Sequence, residues 1–361
     1  MSSPRSINTK PRMNIGSTPT KTTSRTTGHA KTAEAKILVL NRGALGDVLL
    51  SLPFLAAVPG HFKARSLSVV GNKTILDLLA DQPFVDSVQD QNQADWAGLY
   101  LDPPQVSARL ADYVRTYRAG VVLAGDQSDP AAAGLRRLGL EPVLIVPSRP
   151  PQGRAVHLTD HMFAVTGIKP VRGQVLLRPG EESLAKARSL LKAKGLENRP
   201  WLALHPGSGA RKKNWPVDNW LDLAREIEDE MGLACLFILG PAETELADVI
   251  FQGKDGFKPR LIGDMTLPIL AALLSLGQGY AGHDSGVTHL AARLGRPTVA
   301  VFGPTDPALW SPRGPRVSVL APRSRLDQAN PWEGLTMRRV TTTINSTLKI
   351  KKSARAGLGD R

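Results

Sequence analysis

With 361 residues and 42% apolar content, the chain is long enough for two soluble globular domains, each burying its own core. The formal charge of +14 invites a nucleic-acid reading, but six basic residues face only Glu34 in residues 1–35 and seven face only Asp360 in residues 336–361. The stretch between is close to neutral, which counts against a nucleic-acid face on the fold, and the lone Cys235 excludes an internal disulfide.

Residues 1–35 are rich in Ser, Thr, Lys and Arg without an apolar period, so they read as a disordered basic tail rather than a secretory signal. No run of about 18 apolar residues offers a membrane span. A cytoplasmic protein is expected. Its basic ends could touch anionic lipid at the inner face of the membrane, at roughly 1 kcal/mol per basic residue, or remain solvated without a partner.

From residue 36 short apolar runs alternate with helical patterns. Residues 37–40, 67–70, 121–123 and 143–146 read as strands, with helices near 48–57, 74–80, 105–117 and 131–138 between them. The break at 168–180 precedes an amphipathic helix over 181–194. Strands at 201–205, 233–239, 261–262, 278–281 and 298–302 then alternate with helices near 217–231, 243–251, 267–275 and 286–294. Continuous rather than alternating apolar runs mark parallel sheets covered on both faces. The expected class is α/β, with an acceptor domain over 36–172, a nucleotide-sugar domain over 173–335 and a basic tail over 336–361. Ligands in such sheets sit beyond the carboxyl ends of the strands.

The strand-end motifs fall there. Residues 42–47 read Arg-Gly-Ala-Leu-Gly-Asp, where Gly43 and Gly46 permit a tight turn and close ligand approach, but the spacing is not the dinucleotide fingerprint. Asp47 is either a helix cap worth about 1 kcal/mol or a general base facing a cleft. In the loop 205–216, Gly207 and Gly209 expose amides and Lys213 can neutralise a phosphate; the alternative is a solvated basic turn. Glu243, in Gly-Pro-Ala-Glu, suits either a ribose diol or a helix's first turn. Asp284-Ser285-Gly286 open a helix bearing His289, and free amides beside a hydroxyl and an imidazole form a diphosphate pocket. Asp284 does not belong on a phosphate and suggests a contact to a sugar hydroxyl. His157 and His161 lie four apart but lack a clear third metal ligand, and Trp310 and Trp332 read as packing residues.

These motifs, in this order from residue 36 to about 315, resemble the lipopolysaccharide heptosyltransferases of glycosyltransferase family nine. The stretch from Asp284 to Pro304, continuing through Thr305-Asp306-Pro307, carries the resemblance most strongly. It implies a GT-B fold, two Rossmann-like domains facing across a cleft. It also implies inverting transfer of a heptose from ADP-heptose to an inner-core or other cell-envelope glycan, with no metal and no cofactor beyond the donor. Position by position it makes Asp47 the base and Lys213 the lysine at the departing diphosphate. Ser208 and Gly209 lie in the phosphate loop and Gly46 in the close-approach turn. Glu243 stands near the ribose and Asp284 on the sugar, with Ser285, Gly286 and His289 around the phosphates. The chain departs from the pattern at His283, often Asn in the family, at the long N-terminal tail and after about residue 330. Residues 60–150 match only in architecture. Two other functions stay open on the residues alone: a nucleotide-sugar epimerase or hydrolase of the same fold, and a non-catalytic nucleotide-sugar binder.

Overall fold

The computed structural model describes residues 35–210, 213–240, 243–322, 332 and 334–349. The tail segments 1–34 and 350–361, with Arg211, Lys212, Pro241, Ala242, residues 323–331 and Glu333, lie outside the described residues.

The first half runs β1 (Lys36–Asn41), α1 (Leu45–His61), β2 (Ser66–Gly71), β3 (Val85–Asp90), α2 (Ala108–Arg115), β4 (Ala119–Ala124), α3 (Pro130–Arg137), β5 (Val143–Pro147) and α4 (Leu158–Thr166). Its strands are all parallel, in the order β3-β2-β1-β4-β5. The central strands are apolar end to end because helices cover both faces: Ile37, Leu38, Val39, Val121 and Val122 have no exposed surface.

The second half begins with α5 (Glu181–Ala193) and β6 (Trp201–His205), then α6 (Val217–Met231), β7 (Ala234–Ile238), α7 (Thr244–Gln252) and β8 (Arg260–Ile262). It continues through α8 (Leu267–Leu276), β9 (Gly279–His283), α9 (Gly286–Arg293), β10 (Thr298–Val301), β11 (Val317–Leu320) and α10 (Met337–Leu348). This sheet is also parallel, ordered β11-β10-β9-β6-β7-β8. Each sheet reverses direction beside its first strand, between β1 and β4 and between β6 and β9. Those are the crevices where doubly wound sheets bind ligands. Two Rossmann-like sheets, as expected, therefore present two such crevices.

Helices α1 and α9 pack on each other and join the halves. One buried apolar cluster runs through the junction, from Val39 and Leu52 in the first half to Ala203 and Leu290 in the second. Thr159 on α4 donates to the Leu50 carbonyl of α1, and the His157 ring lies 2.9 Å from the Ser311 carbonyl of the second half. The two histidines four apart are thus not a ligand pair: His157 precedes α4 and accepts the Thr159 N–H on Nδ1.

Three elements differ from the sequence expectation. Strands β3 (Val-Asp-Ser-Val-Gln-Asp) and β11 (Val-Ser-Val-Leu) were not expected; both lie at sheet edges, where one flank has no partner and polar residues interrupt the apolar run. Within the stretch 336–361, assigned to a basic tail, Met337–Leu348 form a helix packed on α6, β10 and β11. Val340 and Ile344, four apart, are fully buried. The threonine-rich composition concealed that stripe. Among the described residues no helix is long and apolar enough to cross a membrane.

Candidate active site

At the end of β1 the chain turns through residues 42–44 into α1. The Asn41 side chain accepts the Gly43 N–H at 3.1 Å and so closes the turn. A Cβ on Gly43 would lie 2.8 Å from that of Asp47, which explains the glycine. Helix α1 starts at Leu45, so Asp47 is its third residue and not its cap. Its Oδ2 accepts the Ala44 N–H at 3.2 Å, which satisfies one of the helix's free donors. The carboxyl is half-buried, and burial raises its pKa against the opposing effects of that hydrogen bond and of Arg149. A carboxylate with a raised pKa is a better proton acceptor than a free one.

The facing crevice is built from the ends of β6 and β9. Asp284 follows β9 and is 9% exposed; its Oδ2 accepts from Lys213 Nζ at 2.8 Å and from Thr305 Oγ1 at 2.7 Å. His289, one turn into α9, places Nε2 at 4.0 Å from Asp284 Oδ1, and burial lowers its pKa, keeping it neutral. Ser285 precedes α9 without capping it by a side-chain bond, so the first-turn amides of Gly286 and Val287 lack intrahelical acceptors. The Ser208 hydroxyl lies 2.7 Å from Asn214 Oδ1 and 2.9 Å from the Ala210 carbonyl, which shapes the 205–216 loop.

His283 secures the same loop. Its Nε2 accepts the Trp215 N–H at 2.7 Å, and its ring packs edge-on to Trp220 at 5.1 Å. Burial lowers its pKa to about 3, so it stays a neutral acceptor. The departure from the family pattern at this position is therefore a support for the loop that carries Lys213. Glu243 is buried just before α7, its Oε2 accepting the Gly240 N–H at 2.7 Å and lying 3.9 Å from His205 Nε2. Burial raises the Glu243 pKa and lowers that of His205 to about 4.

Gly46, Ser208, Gly209, Glu243, Ser285 and Gly286 line a single cavity of about 390 Å³. Its apolar wall includes Met265 and Leu267. Asp47 faces a second cavity of about 540 Å³, with Arg42, Ser148, Arg149 and Trp310. Ala44 lines both. Between them α1 and α9 nearly touch: a Cβ on Gly286 would lie 2.8 Å from the Leu45 side chain, and one on Gly46 would lie 3.4 Å from the His289 ring. Of the expected site residues, Asp284, Lys213 and His289 line neither cavity; they cluster with one another beside Ser285 and Gly286, which line the first.

Several lining residues escaped the sequence reading. Arg149 and Ser148 follow β5 at a strand's carboxyl end, which is the signal that locates ligands in such folds. Trp310, read as packing, forms a wall of the Asp47 cavity from the opposite domain. Thr305 lies in the stretch that carried the resemblance but was given no role; it lines neither cavity and donates to Asp284. Among the described residues no group of three or more His, Cys, Asp or Glu is arranged to hold a metal ion.

Residues 162–330 match the family model of glycosyltransferase family 9 (heptosyltransferase). Lipopolysaccharide heptosyltransferase 1 of Escherichia coli (strain K12) is 32% identical over 120 residues, 33% of this chain and 37% of that protein. The chain thus matches little more than a third of that curated relative's length. Two solved structures resemble it over nearly their whole length. One, a family 9 glycosyl transferase from Veillonella parvula, has a TM-score of 0.72 at 18% identity, covering 88% of this chain and 98% of that one. The other, E. coli ADP-heptose lps heptosyltransferase II, gives 0.68 at 18% identity, covering 87% and 98%. The fold is GT-B, and it is over residues 162–330 that the chain is similar to glycosyltransferase family 9 (heptosyltransferase).

Proposed function

We propose that this chain is an inverting glycosyltransferase that moves a heptose from ADP-heptose to a lipopolysaccharide-core or related cell-envelope glycan without a metal ion. The observation that carries the reading is the juxtaposition across the α1–α9 contact. A half-buried carboxylate, Asp47, faces one cavity, while the buried acid Glu243 and the first turn of α9 line the other, with the Lys213–Asp284 pair immediately before that turn. The relatives named for heptose transfer, one of them for an ADP-heptose donor, supply the sugar and nucleotide.

In the proposed step the acceptor hydroxyl enters beside Asp47, which takes its proton as the oxygen bonds to the anomeric carbon from the face opposite the phosphate. The bond from that carbon to the β-phosphate oxygen breaks, and the nucleoside diphosphate leaves with the electron pair. Negative charge grows on the departing oxygen, where Lys213 and the amides of Gly286 and Val287 stabilise it. Glu243 accepts from the ribose diol, and Asp284 accepts from a hydroxyl of the sugar. Because the α1–α9 contact closes one side, the reacting centre is screened from water, which limits donor hydrolysis. Domains 36–172 and 173–335 then hold acceptor and donor respectively, α10 belonging with the second. The basic ends would bring the enzyme to anionic lipid at the inner membrane face, where the acceptor lies.

The test is product analysis with ADP-heptose and a core-glycan acceptor, with and without a chelator, beside UDP-, GDP- and CMP-sugars. A glycoside of inverted anomeric configuration, formed equally with chelator present, is the expected result. Sugar released or isomerised from donor alone, with no acceptor product, would instead favour an epimerase or hydrolase.

A further inference from the structure

Helix α1 carries Pro53 in its interior. Proline has no N–H, so the carbonyl four residues earlier, on the buried Leu49, loses its intrahelical donor. An unpaired carbonyl in such a place is costly. Its donor comes from the other domain: Arg293 Nε lies 3.0 Å away.

Arg293 ends α9, the helix whose first turn borders the 390 Å³ cavity, and it is only 3% exposed. Its Nη2 has no hydrogen-bond partner among the described residues, and burial together with the like charge of Arg313 lowers its pKa to about 10. A buried guanidinium without a carboxylate is a poor way to fill space, and an apolar side chain would cost less. What only a donor can do there is meet the Leu49 carbonyl. Within the packed α1–α9 contact two features can set register: the close approach of Gly46 and Gly286 at the first turns and this bond near the end of α9. Two points fix the rotation and slide of one helix on the other, where one would leave a pivot.

Resting on the transfer reaction proposed above, we infer that Arg293 is a positioning residue: its bond to the carbonyl freed by Pro53 sets the register of α1 against α9, and so the placement of Asp47 over the donor's anomeric carbon. It touches neither substrate. Its effect falls on turnover, while the donor cavity, to which the first half gives only Ala44, Leu45 and Gly46, keeps the polar residues of the second domain.

A mutant cycle tests this with ADP as the binding probe. Arg293→Met should lower Tm, leave the Kd for ADP within about threefold and lower kcat about 30- to 100-fold, as expected for a misplacement of about 1 Å. Arg293→Lys, which still donates, should recover part of kcat. The decisive variant is Pro53→Ala combined with Arg293→Met. The alanine returns an N–H to the Leu49 carbonyl, so Tm should recover while kcat stays low. Recovery of kcat along with Tm would reduce Arg293 to a structural role and overturn the inference, as would wild-type kcat in Arg293→Met. Additive Tm changes would show that the two residues do not share the carbonyl. The Tm cycle and ADP binding need no turnover, so they judge the clasp even if the proposed transfer reaction fails.

Discussion

The two crevices share a strand order and differ in finish. In the second domain the polar side chains are already paired and buried: Asp284 holds Lys213 and Thr305, Glu243 holds the Gly240 amide, and His283 holds the loop at Trp215. In the first domain Asp47 is half-buried, and Arg149 is exposed at the cavity wall. A preorganised rim suits one fixed ligand, whereas an open rim suits a bulky partner that brings its own shape. The family model also lies mainly over the finished half. On the proposed reading, donor chemistry would be built into the scaffold while acceptor choice would be left to exposed strand ends.

The comparison breaks first at the base. Asp47→Asn should reduce kcat by about 10³-fold or more, within the range for a positioned general base, with ADP binding unchanged by calorimetry. Since burial raises the Asp47 pKa above 3.8, the wild-type acid limb of kcat/KM should sit above that value, and rate should fall as pH drops through it. Normal turnover in the variant would move the base elsewhere. Next, Lys213→Met should lower kcat about 10²- to 10³-fold, the scale of losing one electrostatic contact to the leaving group. It should leave acceptor KM nearly unchanged; an effect on acceptor KM alone would assign Lys213 to the wrong crevice.

A smaller effect tests the preorganisation itself. A Cβ on Gly207 would lie 2.1 Å from Glu243 Cγ. Gly207→Ala should therefore displace Glu243 and weaken ADP binding about tenfold, within the roughly 1–3 kcal/mol of an overpacked site. Unchanged affinity would remove Glu243 from the nucleotide site. The smallest effect is on stability in acid. His205 and His283 are buried neutral, with pKa values lowered to about 4 and about 3 from 6.5. As pH falls below 6.5 the unfolded chain takes up protons that the folded chain does not, so stability present at neutral pH is lost towards pH 4. The raised pKa values of Asp47 and Glu243 act in the opposite sense. A Tm that stays level between about pH 7 and about pH 5 would contradict the neutral histidines.

Much of this was legible because it rests on short-range rules. Apolar runs such as Ile-Leu-Val-Leu at 37–40 and Trp-Leu-Ala-Leu-His at 201–205 announced central strands, and glycines beside polar residues announced their ends. Asp47, Glu243 and Asp284 stood out as carboxylates at those ends. What stayed hidden depends on the meeting of distant segments. Arg293 and Leu49 are 244 residues apart, and nothing near either residue signals the pairing. Trp310 gains a cavity only because another domain supplies the opposite wall. The edge strands and α10 were obscured by polar or threonine-rich composition, which packing overrode.

The Lys213–Asp284 contact has a consequence for how the donor enters. A lysine kept beside a carboxylate in the unliganded protein does not wait as a bare charge for phosphate. Under the proposed function, an arriving diphosphate would exchange one oxyanion for another at Nζ and the released carboxylate would turn to the sugar's hydroxyls, so nearly as many ion contacts would be broken as made. Added salt weakens both sides of such an exchange alike. Donor affinity governed by it would respond to ionic strength far less than the charge of a diphosphate suggests, and selectivity would rest on whether the ligand carries a sugar to satisfy Asp284 once its lysine is gone.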